Sequence, residues 1–305
     1  MDIKSLCDVP PWEWPSDAWK TILKTLTDER ADQSDRLAAA ELGGDLVAMN
    51  DELADALLAI VRNGDEAEEL RATAALSLGP VLEQADTELA DGSRFDEPED
   101  VPISYRTFRN IQDSFRKLYF DENVPKELRR RILEASVRAP QDWHPSVIRT
   151  AYLSGDKDWM LTAVFSMGQI RGFNDQILEA LKSTDAEIHY EAVRAAGTWE
   201  LDPAWPHVVT LVNDPATPKP LLLAAIDAVA SIRPREAGPI LVDLADSDDT
   251  EIAQAASEAM SMAETMSGEP SDEEDEARND SGSIEFNVAK TRRSSGIRSC
   301  YCFQY

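Results

Sequence analysis

The sequence contains little cysteine, little histidine and no long apolar run. Its three cysteines, Cys7, Cys300 and Cys302, all lie outside the repeated segments described below, which excludes a disulfide framework for the core. No uninterrupted apolar run approaches the length that spans a membrane, and the first residues lack the apolar core of a signal peptide. These absences predict a protein of the reducing cytoplasm that has no membrane segment.

Basic residues are also scarce. The chain has 30 Lys and Arg against 58 Asp and Glu, which gives a net charge of -28. Such a charge repels nucleic-acid phosphates and anionic membrane surfaces, so neither is an expected partner. A basic protein or peptide is the better electrostatic match. High acidity also serves solubility alone, and it fits a salt-adapted source.

The sequence contains a repeated pattern, in which a run of small or apolar residues ends in a small residue that closes the run. The closing residues are Gly43, Gly79, Gly168, Gly197, Ala230 and Ser261. From Gly168 onward they stand 29, 33 and 31 positions apart. This period predicts an all-α solenoid built from helix pairs. Because a solenoid presents a long surface, the pattern favours a binding protein.

Each pair is predicted to begin with a helix of small residues and to continue with a helix of larger aliphatic residues. Acidic turns lie between pairs, and their Asp side chains are expected to cap the next small-residue helix. These turn residues are Asp65, Asp121, Asp156, Asp185, Asp214 and Asp248. The glycine that closes a run either allows a neighbouring helix to approach closely or ends its helix in a left-handed cap.

The sequence divides into three parts. Residues 1–34 are expected to form a capping segment with one helix, and residues 35–264 to form the solenoid, with an acidic loop inserted at 87–102. Residues 265–305 are predicted to be a disordered tail, acidic at first and then basic. Residues 284–305 fit a native tail, a frame-shifted end or an appended sequence equally well.

Two of the runs, Glu69 to Gly79 and Asp185 to Gly197, resemble HEAT repeats. They are most similar to the short HEAT-like repeats of phycobiliprotein (bilin) lyases, and the resemblance covers residues 35–264. It implies an α-α superhelix, HEAT-like or armadillo-like, of about seven helix pairs whose second helices line a concave face. Members of this family mostly act as scaffolds or adaptors, and a minority are enzymes.

Two enzymatic branches of the family can be compared with this sequence. The HEAT-repeat di-iron hydroxylases hold their metals with several His-Glu pairs, whereas this chain has three histidines, none followed directly by Glu. The HEAT-like DNA glycosylases use a basic groove, which a net charge of -28 does not provide. The prediction is therefore a protein that is not an enzyme and has no catalytic, cofactor or metal site. The alternative is a lyase-like or chaperone-like protein that acts on a tetrapyrrole-bearing protein.

Three aromatic residues, Trp143, Phe173 and Trp205, begin successive second helices. They are candidate partner-binding residues, because a stripe of aromatic side chains can grip a peptide. The alternative is a hydrophobic staple, in which the residue before a helix packs on its first turn. The regular placement favours the staple.

Three arginines, Arg138, Arg171 and Arg233, follow the small-residue runs and form the second set of candidates. A ladder of guanidinium groups suits an acidic peptide or a carboxylate ligand. The alternative places these arginines at helix C-termini, where they offset the negative end of the dipole. Glu200 stands at the corresponding place of the intervening unit and interrupts the ladder. The expected function is a scaffold or adaptor that holds a protein or peptide on its concave face, in an oligomeric state that the sequence does not indicate.

Overall fold

The computed structural model describes residues 2–90 and 101–267. The regular structure in these residues is helical, and turns join the helices. These residues contain no strand, and two 3-10 helices, Pro11–Glu13 and Asp202–Ala204, accompany the α-helices. The α-helices are α1 (Ile3–Cys7), α2 (Ala18–Thr27), α3 (Gln33–Leu42), α4 (Asp51–Arg62), α5 (Glu68–Ser77), α6 (Gly79–Ala90), α7 (Tyr105–Phe120), α8 (Lys126–Ser136), α9 (His144–Tyr152), α10 (Lys157–Gln169), α11 (Asn174–Ala180), α12 (Ala186–Thr198), α13 (Trp205–Asn213), α14 (Lys219–Ile232), α15 (Pro234–Ala245) and α16 (Thr250–Ser267). The prediction of an all-α architecture of repeated helices is confirmed.

Two kinds of helix alternate along the chain from α2 onward, except that α6 follows α5 as an additional helix and belongs to neither kind. The small-residue helices, which carry the repeated runs, are α3, α5, α8, α10, α12, α14 and α16. The large-residue helices are α2, α4, α7, α9, α11, α13 and α15. In α12, for example, Ile188, Ala192, Ala195 and Ala196 are buried, at the three- and four-residue spacing of one helix face.

The helices form different pairs from those that the sequence predicted, and we call the choice of partners the pairing frame. From α4 to α13, each large-residue helix packs more closely against the small-residue helix that follows it than against the one before it, as α9 does with α10 and α13 with α14, whereas α15 packs on α14. A small-residue helix and the large-residue helix after it, such as α12 and α13, approach each other less. The expected order, with the small-residue helix first in each pair, is therefore wrong. The 3-10 turn Asp202–Ala204 separates α12 from α13, whereas the turn that joins α11 to α12 ends directly in a helix cap.

The small-residue helices also stack on one another, in the order α3, α5, α8, α10, α12, α14. A Cβ on Gly197 would stand 3.0 Å from the Cα of Ala228 in α14. A Cβ on Gly168 would stand 3.6 Å from the Cβ of Ala195 in α12. Neither glycine has a positive φ, so these two residues serve close approach and not a left-handed cap.

The expected Asp caps are present in part. Asp156 and Asp185 accept hydrogen bonds from backbone N–H groups in the first turns of α10 and α12. At the start of α16 this role belongs to Asp249 and not to Asp248. The remaining three, Asp65, Asp121 and Asp214, do not cap the start of the next small-residue helix, because α5, α8 and α14 have N-caps at other residues.

An ion pair between a lysine and a capping aspartate recurs at these helix starts, and we call it the lysine clamp. The Nζ atom of Lys126 in α8 lies 2.7 Å from a carboxylate oxygen of Asp156, the cap of α10. Lys157 of α10 contacts Asp185, the cap of α12, at 2.7 Å. Lys219 of α14 contacts Asp249 at 2.8 Å. Each cation stands in one small-residue helix and each anion caps the next, so the clamps join neighbouring units of the array.

The observed helix ends differ from the expected boundaries. Helix α6 continues to Ala90, so residues 87–90 of the expected acidic loop are helical. At the other end of that loop Val101 is buried. Helix α16 continues to Ser267, into the segment expected as a tail. Residues 91–100 and 268–305, which hold the rest of both segments, lie outside the described residues.

Candidate functional site

The three candidate aromatic residues are buried in one apolar core. Trp143 and Phe173 directly precede α9 and α11, and Trp205 is the first residue of α13. The ring N–H of Trp143 donates to Oε1 of Gln141 at 3.0 Å. Because the chain itself covers the three rings, their role is corrected from partner contact to core packing at the helix starts.

The three candidate arginines each contact a partner within the chain. Arg138 pairs with Glu83 at 2.7 Å, and Arg233 pairs with Asp202 at 2.7 Å. The guanidinium of Arg171 lies 4.4 Å from the centre of a tryptophan ring. All three stand at or just beyond the C-termini of α8, α10 and α14, which is where the dipole interpretation places them. These contacts lend the ladder for an acidic ligand no support.

A face that the sequence analysis did not single out crosses the small-residue helices. Leu161 and Phe165 of α10, Tyr190 of α12 and Leu223 of α14 are half-buried and pack on the edge of the core. Positions 161, 190 and 223 are 29 and 33 residues apart, the same spacing as the residues that close the runs. Helices packed in this way lie about 8–10 Å apart, so these equivalent side chains are neighbours. We call these four residues the small-helix face.

An enclosed carboxylate borders the small-helix face. Glu191 follows Tyr190 in α12, and 14% of its side chain is exposed. Nη1 of Arg194 donates to Oε2 of Glu191 over 3.3 Å, which is long for a charged pair. The pKa of Glu191 is raised, mainly by burial and also by the charge of Glu134, while Arg194 and Arg138 lower it. A further cation placed here would favour the ionised carboxylate.

A buried hydrogen-bond network joins α8 to α10 beside this carboxylate. Oγ1 of Thr162 donates to Oε1 of Glu134 at 2.6 Å and accepts from Nε of Arg130 at 3.0 Å. Arg131 donates to the other oxygen of Glu134 at 2.8 Å, and Arg130 also donates to Glu127 at 2.6 Å. The charges are paired within the network, which therefore holds the two helices together and gives the face a rigid border.

The three histidines occupy two environments. Nδ1 of His144 accepts the N–H of Gln141 at 3.0 Å, and its Nε2 lies 3.0 Å from Oγ of Ser136, which assigns the ring proton to Nε2. Burial lowers the pKa of His144 to about 4. His189 and His207 instead face each other, with their Nε2 atoms 2.8 Å apart. Burial lowers the pKa of both.

Within residues 2–90 and 101–267, no three or more His, Cys, Asp or Glu side chains are grouped so that they could hold a metal ion. None of the helices in these ranges combines the length and the apolar character that crossing a membrane requires.

Seventeen chains in solved structures resemble this chain, YibA and deoxyhypusine hydroxylase among them. The Escherichia coli protein YibA is 16% identical, with a TM-score of 0.43 over 82% of this chain and 84% of YibA. Human deoxyhypusine hydroxylase, solved in complex with glycerol, is 14% identical, with a TM-score of 0.36 over 82% of this chain and 97% of the hydroxylase. At these values the likeness concerns the helical-repeat fold alone. No protein-family model and no curated protein matches the chain.

The expectation that the chain is not an enzyme is corrected by this comparison. One similar structure, deoxyhypusine hydroxylase, is that of an enzyme, so a helical-repeat fold does not exclude catalysis. At 14% identity its chemistry is not transferred to this chain. The link to bilin lyases is not shown, and the tetrapyrrole-related alternative stays a sequence-based prediction.

Proposed function

We propose that this protein binds a partner protein along the small-helix face, with a basic side chain of the partner reaching Glu191. The observation that carries the proposal is the row of half-buried large residues at equivalent places in α10, α12 and α14. The runs in these helices also hold small residues that are buried, such as Ala163, Ala195 and Ala228. A large side chain that is partly exposed offers contact area to a partner.

The proposed position differs from the expected one. The family resemblance placed the partner on a concave face lined by the large-residue helices, whose leading aromatic residues are buried. The small-residue helices stack on each other in one row, and equivalent residues recur along it. An extended segment could therefore contact several units in turn, since each unit presents a similar position.

The charge of the chain favours a basic partner. A net charge of -28 attracts cations over long range and speeds the encounter. At close range, the carboxylate of Glu191 has a long ion pair with Arg194, the charge of Arg138 nearby and a neighbouring carboxylate in Glu134. A lysine or arginine side chain entering there would pair with Glu191 in a partly enclosed place, where the attraction is stronger than in water.

Selection from a displayed library of random peptides, with the whole chain as bait, tests this proposal. We expect the enriched peptides to combine apolar residues with Lys or Arg. Phe165→Asp should then weaken their binding at least tenfold, about 1.4 kcal/mol, because it places a charge in the apolar row. Leu153→Asp is the matched control, since Leu153 is 80% exposed in the turn after α9 and lies outside the row. It should leave the affinity within about twofold.

Glu191→Gln tests the proposed contact with a basic side chain separately from the proposed contact with the small-helix face. It should weaken peptides that carry Lys or Arg and should reduce the dependence of their affinity on salt, because one charge pair is lost. Circular dichroism and thermal unfolding establish that each variant is folded. Peptides that bind Phe165→Asp as tightly as the original chain would refute the proposed face, and enrichment of acidic peptides would refute the proposed partner chemistry.

A further inference from the structure

Two imidazole rings meet between consecutive helices. His189 stands in the first turn of α12 and His207 near the start of α13, and both are half-buried. Their Nε2 atoms are 2.8 Å apart, and the rings are tilted by 57° with their centres 5.0 Å apart. Two neutral imidazoles reach this distance when one Nε2–H donates to the lone pair of the other. The Nε2 positions of both rings therefore converge on one point.

The separation of the two nitrogens is close to what a shared metal ion requires. A zinc ion bound at 2.0–2.1 Å to each of two imidazoles in a tetrahedral arrangement holds them about 3.3 Å apart. The rings would need to separate by about half an ångström, which small rotations of two half-buried side chains provide. Imidazole nitrogen is a preferred ligand of Zn²⁺, Ni²⁺ and Cu²⁺.

We propose that His189 and His207 together bind a divalent transition metal ion of the imidazole-preferring class, such as Zn²⁺, through their Nε2 atoms. The ring that now carries its proton on Nε2 would carry it on Nδ1 instead, so both lone pairs point at the metal and the total number of protons is unchanged. No third His, Cys, Asp or Glu of the described residues joins the pair. Water molecules would complete the coordination.

Such a site would join two helices that pack only weakly. Helices α12 and α13 are consecutive in the chain but belong to different helix pairs, or hairpins: α11 with α12, and α13 with α14. An ion held by one residue from each would tie neighbouring hairpins together, at a point where the direct packing of the two helices is slight. Because the metal would bind the folded chain, it should raise the stability of the array by mass action.

Zinc itself is the probe. The test uses the full chain without an affinity tag, with Cys7, Cys300 and Cys302 replaced by Ser so that thiols cannot bind the metal. Adding Zn²⁺ should raise the melting temperature of this protein, and the rise should disappear in His189→Gln and in His207→Gln. A rise of equal size in either variant would overturn the proposal.

Nuclear magnetic resonance of the ring nitrogens provides a readout that needs no substitution of the two histidines. The chain has three histidines, and His144 is buried elsewhere in the fold, so it serves as an internal reference. Zinc should shift the Nε2 signals of His189 and His207 and leave those of His144 in place. Signals of His189 and His207 that do not move at millimolar zinc would overturn the proposal, whatever the variants do.

Discussion

The Cα of Ala228 lies 3.0 Å from the point that a Cβ on Gly197 would occupy. This contact joins α12 to α14 across the row of small-residue helices, and a side chain on Gly197 would require α14 to shift by a few tenths of an ångström. The corresponding contact one unit earlier, from Gly168 to Ala195, is wider, because the nearest atom would be 3.6 Å away. Two glycines that look alike in the sequence therefore differ in the space around them.

Gly197→Ala should destabilise the protein. The new methyl group would meet backbone atoms of α14, which yield less easily than the end of a flexible side chain. We expect the free energy of unfolding to fall by about 1–3 kcal/mol, as measured by urea denaturation. Gly168→Ala is the matched control and should be neutral or stabilising by up to about 1 kcal/mol, since alanine favours a helix and the methyl group fits. Equal losses in the two variants would contradict the difference in packing.

Thr162→Val should also destabilise the protein, although it preserves the shape of the side chain. Valine can neither donate to Glu134 nor accept from Arg130, so two buried charged groups would lose a partner. The expected loss is about 1–3 kcal/mol in the free energy of unfolding. Ser166→Ala, one turn further on, removes only a hydrogen bond from the hydroxyl to the carbonyl of Thr162 and should cost less. The network would lack its proposed role if the two substitutions had the same effect.

His144 should make the protein less stable in mild acid. Its pKa is lowered to about 4 in the folded chain, below the ordinary value of 6.5. Between these values the unfolded chain binds one proton more than the folded chain, so this residue makes stability fall as the pH falls, by at most about 1.4 kcal/mol per pH unit. Urea denaturation between pH 4.5 and pH 7 measures the slope.

His144→Gln provides the comparison for this pH dependence. The substitution should reduce the difference in bound protons between the unfolded and folded chains by up to one, and with it the slope of stability against pH. It also lowers stability at neutral pH, because it breaks the hydrogen bonds to Gln141 and Ser136. His189 and His207, whose pKa values are also lowered, act in the same direction and stay in both proteins. An unchanged slope would mean that His144 does not titrate as its burial implies.

Arg36→Lys should weaken the N-terminal part of the array. Nη1 and Nη2 of Arg36 donate to the two carboxylate oxygens of Glu66 at 2.8 and 2.6 Å, and Nε donates to the carbonyl of Leu26. Lysine keeps the charge but cannot reproduce this fork, so we expect a loss of about 1–2 kcal/mol in the free energy of unfolding. Arg116→Lys, at an exposed pair with Asp142, is the control and should change stability little.

The helices could be predicted from the sequence, but their pairing frame could not. Small residues that recur at a fixed period indicate stacked helices, because only close packing needs them. A period of 29 to 33 residues is the same whether a unit begins at Gly168 or half a unit later. Which neighbour a helix packs against depends on the turns and on the volumes of facing side chains, and those are properties of the folded chain.

The candidate residues show the same limit. Trp143 and Arg138 were recognisable by their regular places, yet a regular place does not tell an exposed side chain from a buried or paired one. Phe165 had a signal in the sequence, as a large residue within a run of small ones. The contact between His189 and His207 had none, because it depends on how α13 follows α12 in space.

The order of helices within a hairpin also determines where the chain could change in length. A hairpin that begins with a large-residue helix and ends with a small-residue helix is complete at Thr198 or at Ile232. A chain that stopped at Asn213 would instead leave α13 without α14, the helix that covers its apolar side. Duplication or loss of units during evolution would therefore preserve a packed array when the junctions fall after small-residue helices, and would expose a core surface when they fall elsewhere.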